Sequence, residues 1–156
     1  MTGSAPIWGV LAAKSFGNAK SRLGGVLSDA ERRAFARSTF EHVLGVLGSS
    51  PSLSGIVVVT DSDEVGSLAE SSGAMALRDP PGASTLAHCV DHALDEAARR
   101  GARAAVVLLS DLPGVTTRDV EDLAAALAGA DVVVAPDKGG EHTNALALRF
   151  PRRFPT

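Results

Sequence analysis

"AAVVLLSDLPGVTTRDVEDLAAALAGADVVVAP", residues 104–136, decides how this chain is read. It opens on a continuous apolar run, 104–110, of the kind that fills a strand buried on both faces of a sheet. Pro113 then pushes Leu112 toward extended backbone and favours a loop. Thr116 or Thr117 offers a side-chain oxygen to cap a helix over 117–128, and Gly129 stands where that helix should stop. A second short apolar run, 131–136, follows at once. Strand, helix and strand in this order make the repeating unit of a parallel sheet.

The same rhythm extends outward in both directions. Apolar runs at 7–12, 55–60, 74–77 and 144–150 read as further strands, and helical spacing occupies 28–47, 62–72 and 84–100. In the first helix Phe35, Phe40, Val43, Leu44 and Leu47 form the expected buried stripe, opposite Glu31, Arg32, Arg33 and Arg37. Ser28 and Glu31 have the spacing of a capping box, and Asp61 or Ser62 should cap the second helix. Gly48, Gly73, Gly101 and Gly129 sit near the helix ends, where a left-handed residue is cheap. The expected fold is α/β, with order β-α-β-α-β-α-β-α-β-β, a mostly parallel twisted sheet and helices on both faces. The expected organisation is a single domain over 1–156, since no repeat, linker or low-complexity tract divides it.

Composition narrows the function. Of 156 residues 45% are apolar and 21% charged, ordinary for a globular protein, and the formal net charge of −3 gives no basic surplus for nucleic acid. No stretch is long and apolar enough to span a bilayer, and the first apolar run is too short for a secretory signal, so a cytoplasmic protein is expected. The lone Cys89 permits no internal disulfide and is expected in the core. His88 and His92 share a helix face, but no third ligand matches their spacing, and surface histidines are the expectation. Nor is there a nucleophile elbow of the Gly-x-Ser-x-Gly type.

In open sheets of this kind ligands bind outside the carboxyl ends of the strands, and three loops there carry chemistry. "LAAKSFGNAKSRL", 11–23, brings Lys14, Lys20 and Arg22 together with no acid among them. It suits an anionic phosphate, though it matches neither a Walker loop nor a dinucleotide fingerprint; a solvated turn is the alternative. Asp111, at the end of the fourth helix-linked strand, is placed to bind a divalent cation, or else to close an Asx-type turn. The loop "APDKGGEHTNALAL", 135–148, offers Thr143 and Asn144 either as part of an anion nest or beside a plain hairpin turn.

Taken together, "LAAKSFGNAKSRL", "LSDAERRAFA", "LLSDLPGVTTRDVEDL" and "VVVAPDKGGEHTNALALR" resemble the 2-phospho-L-lactate / phosphoenolpyruvate guanylyltransferases of deazaflavin coenzyme F-420 biosynthesis. The resemblance implies a GT-A-like nucleotidyltransferase fold and transfer of GMP from GTP to phosphoenolpyruvate or 2-phospho-L-lactate, with release of pyrophosphate. It implies Mg²⁺, with Asp111 as metal ligand and, with Lys20, as catalytic residue. It puts Lys14, Lys20, Ser21 and Arg22 at the nucleotide, and Thr143 and Asn144 in the loop facing the acceptor. It allows a homodimer.

The chain departs from the family pattern at three places. Leu86-Ala87 stands where members usually have Leu-Asn. Glu141 and His142 replace small residues, and the family's usual C-terminal segment, with a further acidic metal ligand, has no counterpart after "RFPRRFPT". These departures keep two alternatives in view, a catalytically incomplete GTP-binding remnant and a related nucleotidyltransferase with a different acceptor.

Overall fold

A computed structural model describes residues 5–18, 25–151 and 156. The elements are β1 (Ile7–Ala12), a 3₁₀ turn at Phe16–Asn18, α1 (Asp29–Gly48), β2 (Leu53–Thr60), α2 (Asp63–Ser71) and β3 (Met75–Arg78). Then come α3 (Leu86–Arg99), β4 (Ala104–Leu109), α4 (Thr117–Ala126), β5 (Val132–Pro136) and β6 (Thr143–Arg149). The alternation read from the sequence is present in full.

The six strands form one sheet in the order β3-β2-β1-β4-β6-β5. β1 runs parallel to β2 and β4, and β2 parallel to β3. β6 runs antiparallel to both β4 and β5 and lies between them. The hairpin return therefore inserts the last strand beside β4 and leaves β5 at the edge. Burial follows this order. β4 is buried along nearly its whole length, whereas β5 alternates between exposed and half-buried positions, with Val132 and Val134 exposed.

Successive strand residues point to opposite faces, so the sheet has two cores. On one face Leu11, Val58, Val106, Leu108 and Ala147 pack against α1, α2 and α4. On the other Val10, Val57, Val59, Ala105 and Val107 pack against α3, through Cys89, Val90, Ala93, Leu94 and Ala97. Helices do cover both faces, three against one. Cys89 is 1% exposed and belongs to the α3 core, as expected.

Local signals explain the boundaries. The Ser28 hydroxyl accepts the Glu31 N–H at 3.2 Å while the Glu31 carboxylate accepts the Ser28 N–H at 2.6 Å, the reciprocal capping box. Ser62, not Asp61, caps α2, and Thr116, not Thr117, caps α4. Gly73 and Gly101 adopt left-handed φ values of 84° and 99° just beyond α2 and α3. Gly48 and Gly129 do not take that conformation: Gly48 is still helical, and Ser49 ends α1 through 3₁₀-type backbone bonds. Phe35 is a second correction. It is 42% exposed, and the buried stripe of α1 instead runs through Ala36, Thr39, Phe40, Val43, Leu44, Val46 and Leu47. A helix repeats every 3.6 residues, and the 36–40–43–47 row already fills the face toward the sheet.

One side-chain contact joins α1 to the loop after β4. His42 Nε2 lies 2.8 Å from the Val115 carbonyl oxygen, so the ring donates to the loop that Asp111 begins. In His42→Ala this bond is lost, and amide hydrogens of residues 111–116 should exchange faster while global stability falls by no more than about 1.5 kcal/mol. Unchanged exchange in the loop would contradict the tether.

The capping box carries a pH dependence. Backbone and hydroxyl hydrogen bonds from Ser28 hold the Glu31 carboxyl below its usual range. A carboxylate depressed in the folded state contributes stability above its unfolded pKa and loses it as pH falls through the folded value. Urea midpoints should therefore separate Glu31→Gln from the parent chain at pH 7, and the gap should narrow below pH of about 4.

Candidate active site

β1 feeds rightward in the chain order to β2 and β3, while its other neighbour is β4, reached only after α3 returns over the opposite face. The carboxyl ends of β1 and β4 therefore diverge at a topological switch point, where helices do not close over the sheet edge. A cleft of about 320 Å³ opens at this place. Its lining includes Lys14 and Ser15 after β1, Ser110 and Asp111 after β4, Thr39 on α1 and Leu86 at the start of α3. Phe16 and Phe40 also line it; both are nearly fully buried, with ring centroids 5.7 Å apart, and give it a rigid apolar wall.

A second cleft, of about 420 Å³, adjoins the first through Leu86 and Leu109, which line both. Thr143 and Asn144 line it from the start of β6. Because β6 is antiparallel, its first residues lie at the same sheet edge as the last residues of β1 and β4. Topology thus gathers Lys14, Asp111, Thr143 and Asn144 along one edge, in two adjoining clefts. Lys20, Ser21 and Arg22 lie outside the described residues.

Lys14 is not a bare cation. Its ammonium donates to the Asp79 carboxylate and lies 4.0 Å from Asp61 Oδ2 and 3.9 Å from Cys89 Sγ. Asp61 follows β2 and Asp79 follows β3, so the lysine reaches sideways across the ends of two neighbouring strands. The hydrogen bond to Asp79 raises the Lys14 pKa; partial burial opposes this, and the charges on Asp79 and Asp61 add to it. Burial raises the Cys89 thiol, so it stays protonated at neutral pH and serves as packing. Asp61 is legible by the same rule that singles out Asp111, an acid directly after an apolar run; Asp79 follows the charged Arg78 that ends β3 and carries no such signal. The helix cap that the sequence offers at Asp61 or Ser62 is taken by Ser62.

The 137–142 loop is a hairpin closure. Asp137 N–H donates to the His142 carbonyl at 2.8 Å, and the Asp137 carboxylate accepts the Glu141 N–H at 3.0 Å. Burial would raise the Asp137 carboxyl, but backbone hydrogen bonds from His142, Glu141 and Gly140 outweigh it and hold the pKa down. The loop's N–H groups thus serve its own aspartate.

Among the described residues no three His, Cys, Asp or Glu side chains converge as a metal cage, and His88 and His92 form none. Asp111 is the carboxylate in the lining of the first cleft. One carboxylate at a strand end suits a hard cation that takes its remaining ligands from substrate phosphates and water, as Mg²⁺ commonly does. The donor set fits such an ion and does not fit a closed structural metal site.

The sequence pattern of the family described as guanylyl transferase CofC like matches residues 9–155. A phosphoenolpyruvate guanylyltransferase of Sphaerobacter thermophilus is 36% identical over 142 residues, 91% of this chain and 68% of that one. One from Chloroflexus aggregans is 38% identical over 88% of this chain and 69% of its own. A 2-phospho-L-lactate guanylyltransferase of Methanoregula boonei is 30% identical over 86% of this chain and 55% of its own.

Solved structures share the fold. A protein described as a nucleotide-diphospho-sugar transferase, from Desulfovibrio desulfuricans G20, superposes with a TM-score of 0.78 over 94% of this chain and 64% of that one, at 18% identity. Glucosyl-3-phosphoglycerate synthase from Mycobacterium tuberculosis, in complex with Mn²⁺, UDP-glucose and phosphoglyceric acid, superposes at 0.61 over 86% of this chain and 45% of that one, at 17% identity. With this GT-A-like sheet, the switch-point cleft and a family pattern running nearly end to end, the chain belongs to the CofC-like guanylyl transferases.

Proposed function

We propose that this protein transfers the guanylyl group of GTP to the phosphate of phosphoenolpyruvate or 2-phospho-L-lactate, a step of coenzyme F-420 biosynthesis carried out in the cytoplasm. The observation that carries this reading is the switch-point cleft, which the β1 loop and Asp111 line together in a chain of the guanylyl transferase family. No described helix is long and apolar enough to cross a membrane, which accords with that setting.

An oxygen of the acceptor phosphate attacks the α-phosphorus of GTP. The bond from that phosphorus to the bridging oxygen breaks, and pyrophosphate leaves. The acceptor's second phosphate pKa is about 6, so its oxygen is already a nucleophile at neutral pH and no general base is needed. The main obstacle is repulsion between two polyanions. Lys20 and Arg22, with the Ser21 hydroxyl and neighbouring N–H groups of the same loop, offset it by holding the triphosphate.

Asp111 would hold Mg²⁺, which when bound supplies positive charge to the α-phosphate and the departing pyrophosphate. The Mn²⁺ of the M. tuberculosis synthase, a protein of the same fold, supports a divalent cation here. Thr143 and Asn144, in the adjoining cleft, orient the acceptor against the α-phosphate.

Mixing the protein with GTP, Mg²⁺ and either acceptor should release pyrophosphate in step with acceptor consumption. Release with neither acceptor would contradict the proposal. The rate should climb as pH rises through about 6 and level off above it, following ionisation of the acceptor. Asp111→Asn and Lys20→Ala should each lower kcat/KM by about a hundredfold or more with unchanged circular dichroism; retained turnover removes the residue from the mechanism.

A further inference from the structure

The pairing of Lys14 with two carboxylates changes what that lysine can do. An ammonium facing two carboxylates makes a poor triphosphate grip, because the incoming anion must compete with Asp79 and is repelled by Asp61. The two carboxylates also stand away from Asp111. They follow β2 and β3, whereas Asp111 follows β4 on the other side of β1, with Lys14 between them lining the switch-point cleft. β3 and β4 are three strand spacings apart, about 14 Å. A nucleotide with its phosphates at the switch point would extend its base along the strand ends toward β2 and β3.

The two acids differ in a useful way. The Asp79 side chain is 15% exposed and is bonded to Lys14, so it fixes the ammonium. The Asp61 side chain is 53% exposed and lies 4.0 Å from the ammonium, beside it rather than tied up by it. The outcome is a fixed cationic donor next to an open carboxylate acceptor. Guanine presents the complementary pattern along one edge, with O6 as acceptor next to N1–H and the 2-amino group as donors. Adenine presents the reverse at the same positions, an amino donor toward the ammonium and a bare ring nitrogen toward the carboxylate.

We propose that Lys14 and Asp61 read the guanine base, Lys14 donating to O6 and Asp61 accepting from N1–H and the 2-amino group, with Asp79 as the positioning residue that aims Lys14. The inference rests on the guanylyl-transfer reading and adds the determinants of its base specificity. Leu86, 45% exposed at the start of α3 and lining both clefts, offers apolar surface but no polar group to a base, which leaves base reading to the strand ends. The raised pKa of Lys14 keeps the donor protonated through neutral pH.

The test compares GTP, ITP, XTP and ATP by calorimetric affinity and by kcat/KM, in the parent chain, Asp61→Asn and Asp79→Asn. The parent should favour GTP over ITP, which lacks the 2-amino group, and over ATP by about a hundredfold or more. Asp61→Asn should weaken GTP by about tenfold or more while improving XTP, whose 2-oxo group accepts from the new amide. Asp79→Asn should weaken GTP, ITP and XTP alike, since all three carry O6. An unchanged GTP-to-XTP ratio in Asp61→Asn, with the parent still turning over GTP, overturns the base-reading assignment and leaves guanylyl transfer standing. A parent chain that binds none of the four nucleotides overturns both.

Discussion

The chain crosses the sheet in one direction from β1 to β3, and must return over the opposite face to place β4 against β1. Everything functional in this structure depends on that reversal. It leaves the carboxyl ends of β1 and β4 side by side with no helix packed between them, which opens a cleft without any cost to the core. The hydrophobic interior is undisturbed because the strands meeting there are buried on both faces; Val10, Leu11, Val106 and Leu108 are all almost fully inaccessible. A rigid floor of β-branched and leucine side chains is what lets loop residues be held at fixed positions.

Charge is distributed along this edge in a graded way. Acids follow β2, β3 and β4, and the one described lysine after β1 is drawn toward the first two. Pairing Lys14 with Asp79 leaves Asp111 in the lining of the switch-point cleft, suited to a cation that arrives with a polyphosphate. On the proposed reading, the division gives each end of an extended nucleotide a chemically different environment. On the same reading, the phosphate role that its loop suggests for Lys14 falls to Lys20 and Arg22.

Much of this was legible in the residues. Continuous apolar runs such as 104–110 cannot belong to a one-sided sheet, and their alternation with capped helical segments leaves little but a parallel α/β arrangement. Ser28 with Glu31, and Thr116 with Asp119, mark helix starts through hydrogen bonds that the spacing alone implies. Strand order was less accessible. Nothing local in Thr143–Arg149 states that β6 inserts beside β4 rather than extending the edge past β5, because pairing is decided by burial of Ala145, Ala147 and Leu148 in the assembled core. Phe35 misled for a related reason, as a large apolar residue one position off the buried row of α1 still looks like part of the stripe.

The site followed the same division. Asp111, Thr143 and Asn144 could be placed at the carboxyl edge of the parallel strands from the strand rule alone, and they line the two adjoining clefts. The partnership of Lys14 with Asp61 and Asp79 could not, since it joins residues 47 and 65 positions apart through a sheet order that the sequence does not spell out. Lys20, Ser21 and Arg22 lie outside the described residues, so their part rests on the chemistry of their loop and on the family pattern that covers it.

The central claim is that one nucleotide spans this edge, with its base at β2–β3 and its phosphates between β1 and β4. A crystal structure with a non-hydrolysable GTP analogue and Mg²⁺ tests it most directly. The account predicts guanine against Lys14 and Asp61, and the triphosphate beside Asp111. A base lodged next to Thr143 and Asn144, or a nucleotide bound away from the carboxyl ends of the strands, would contradict it.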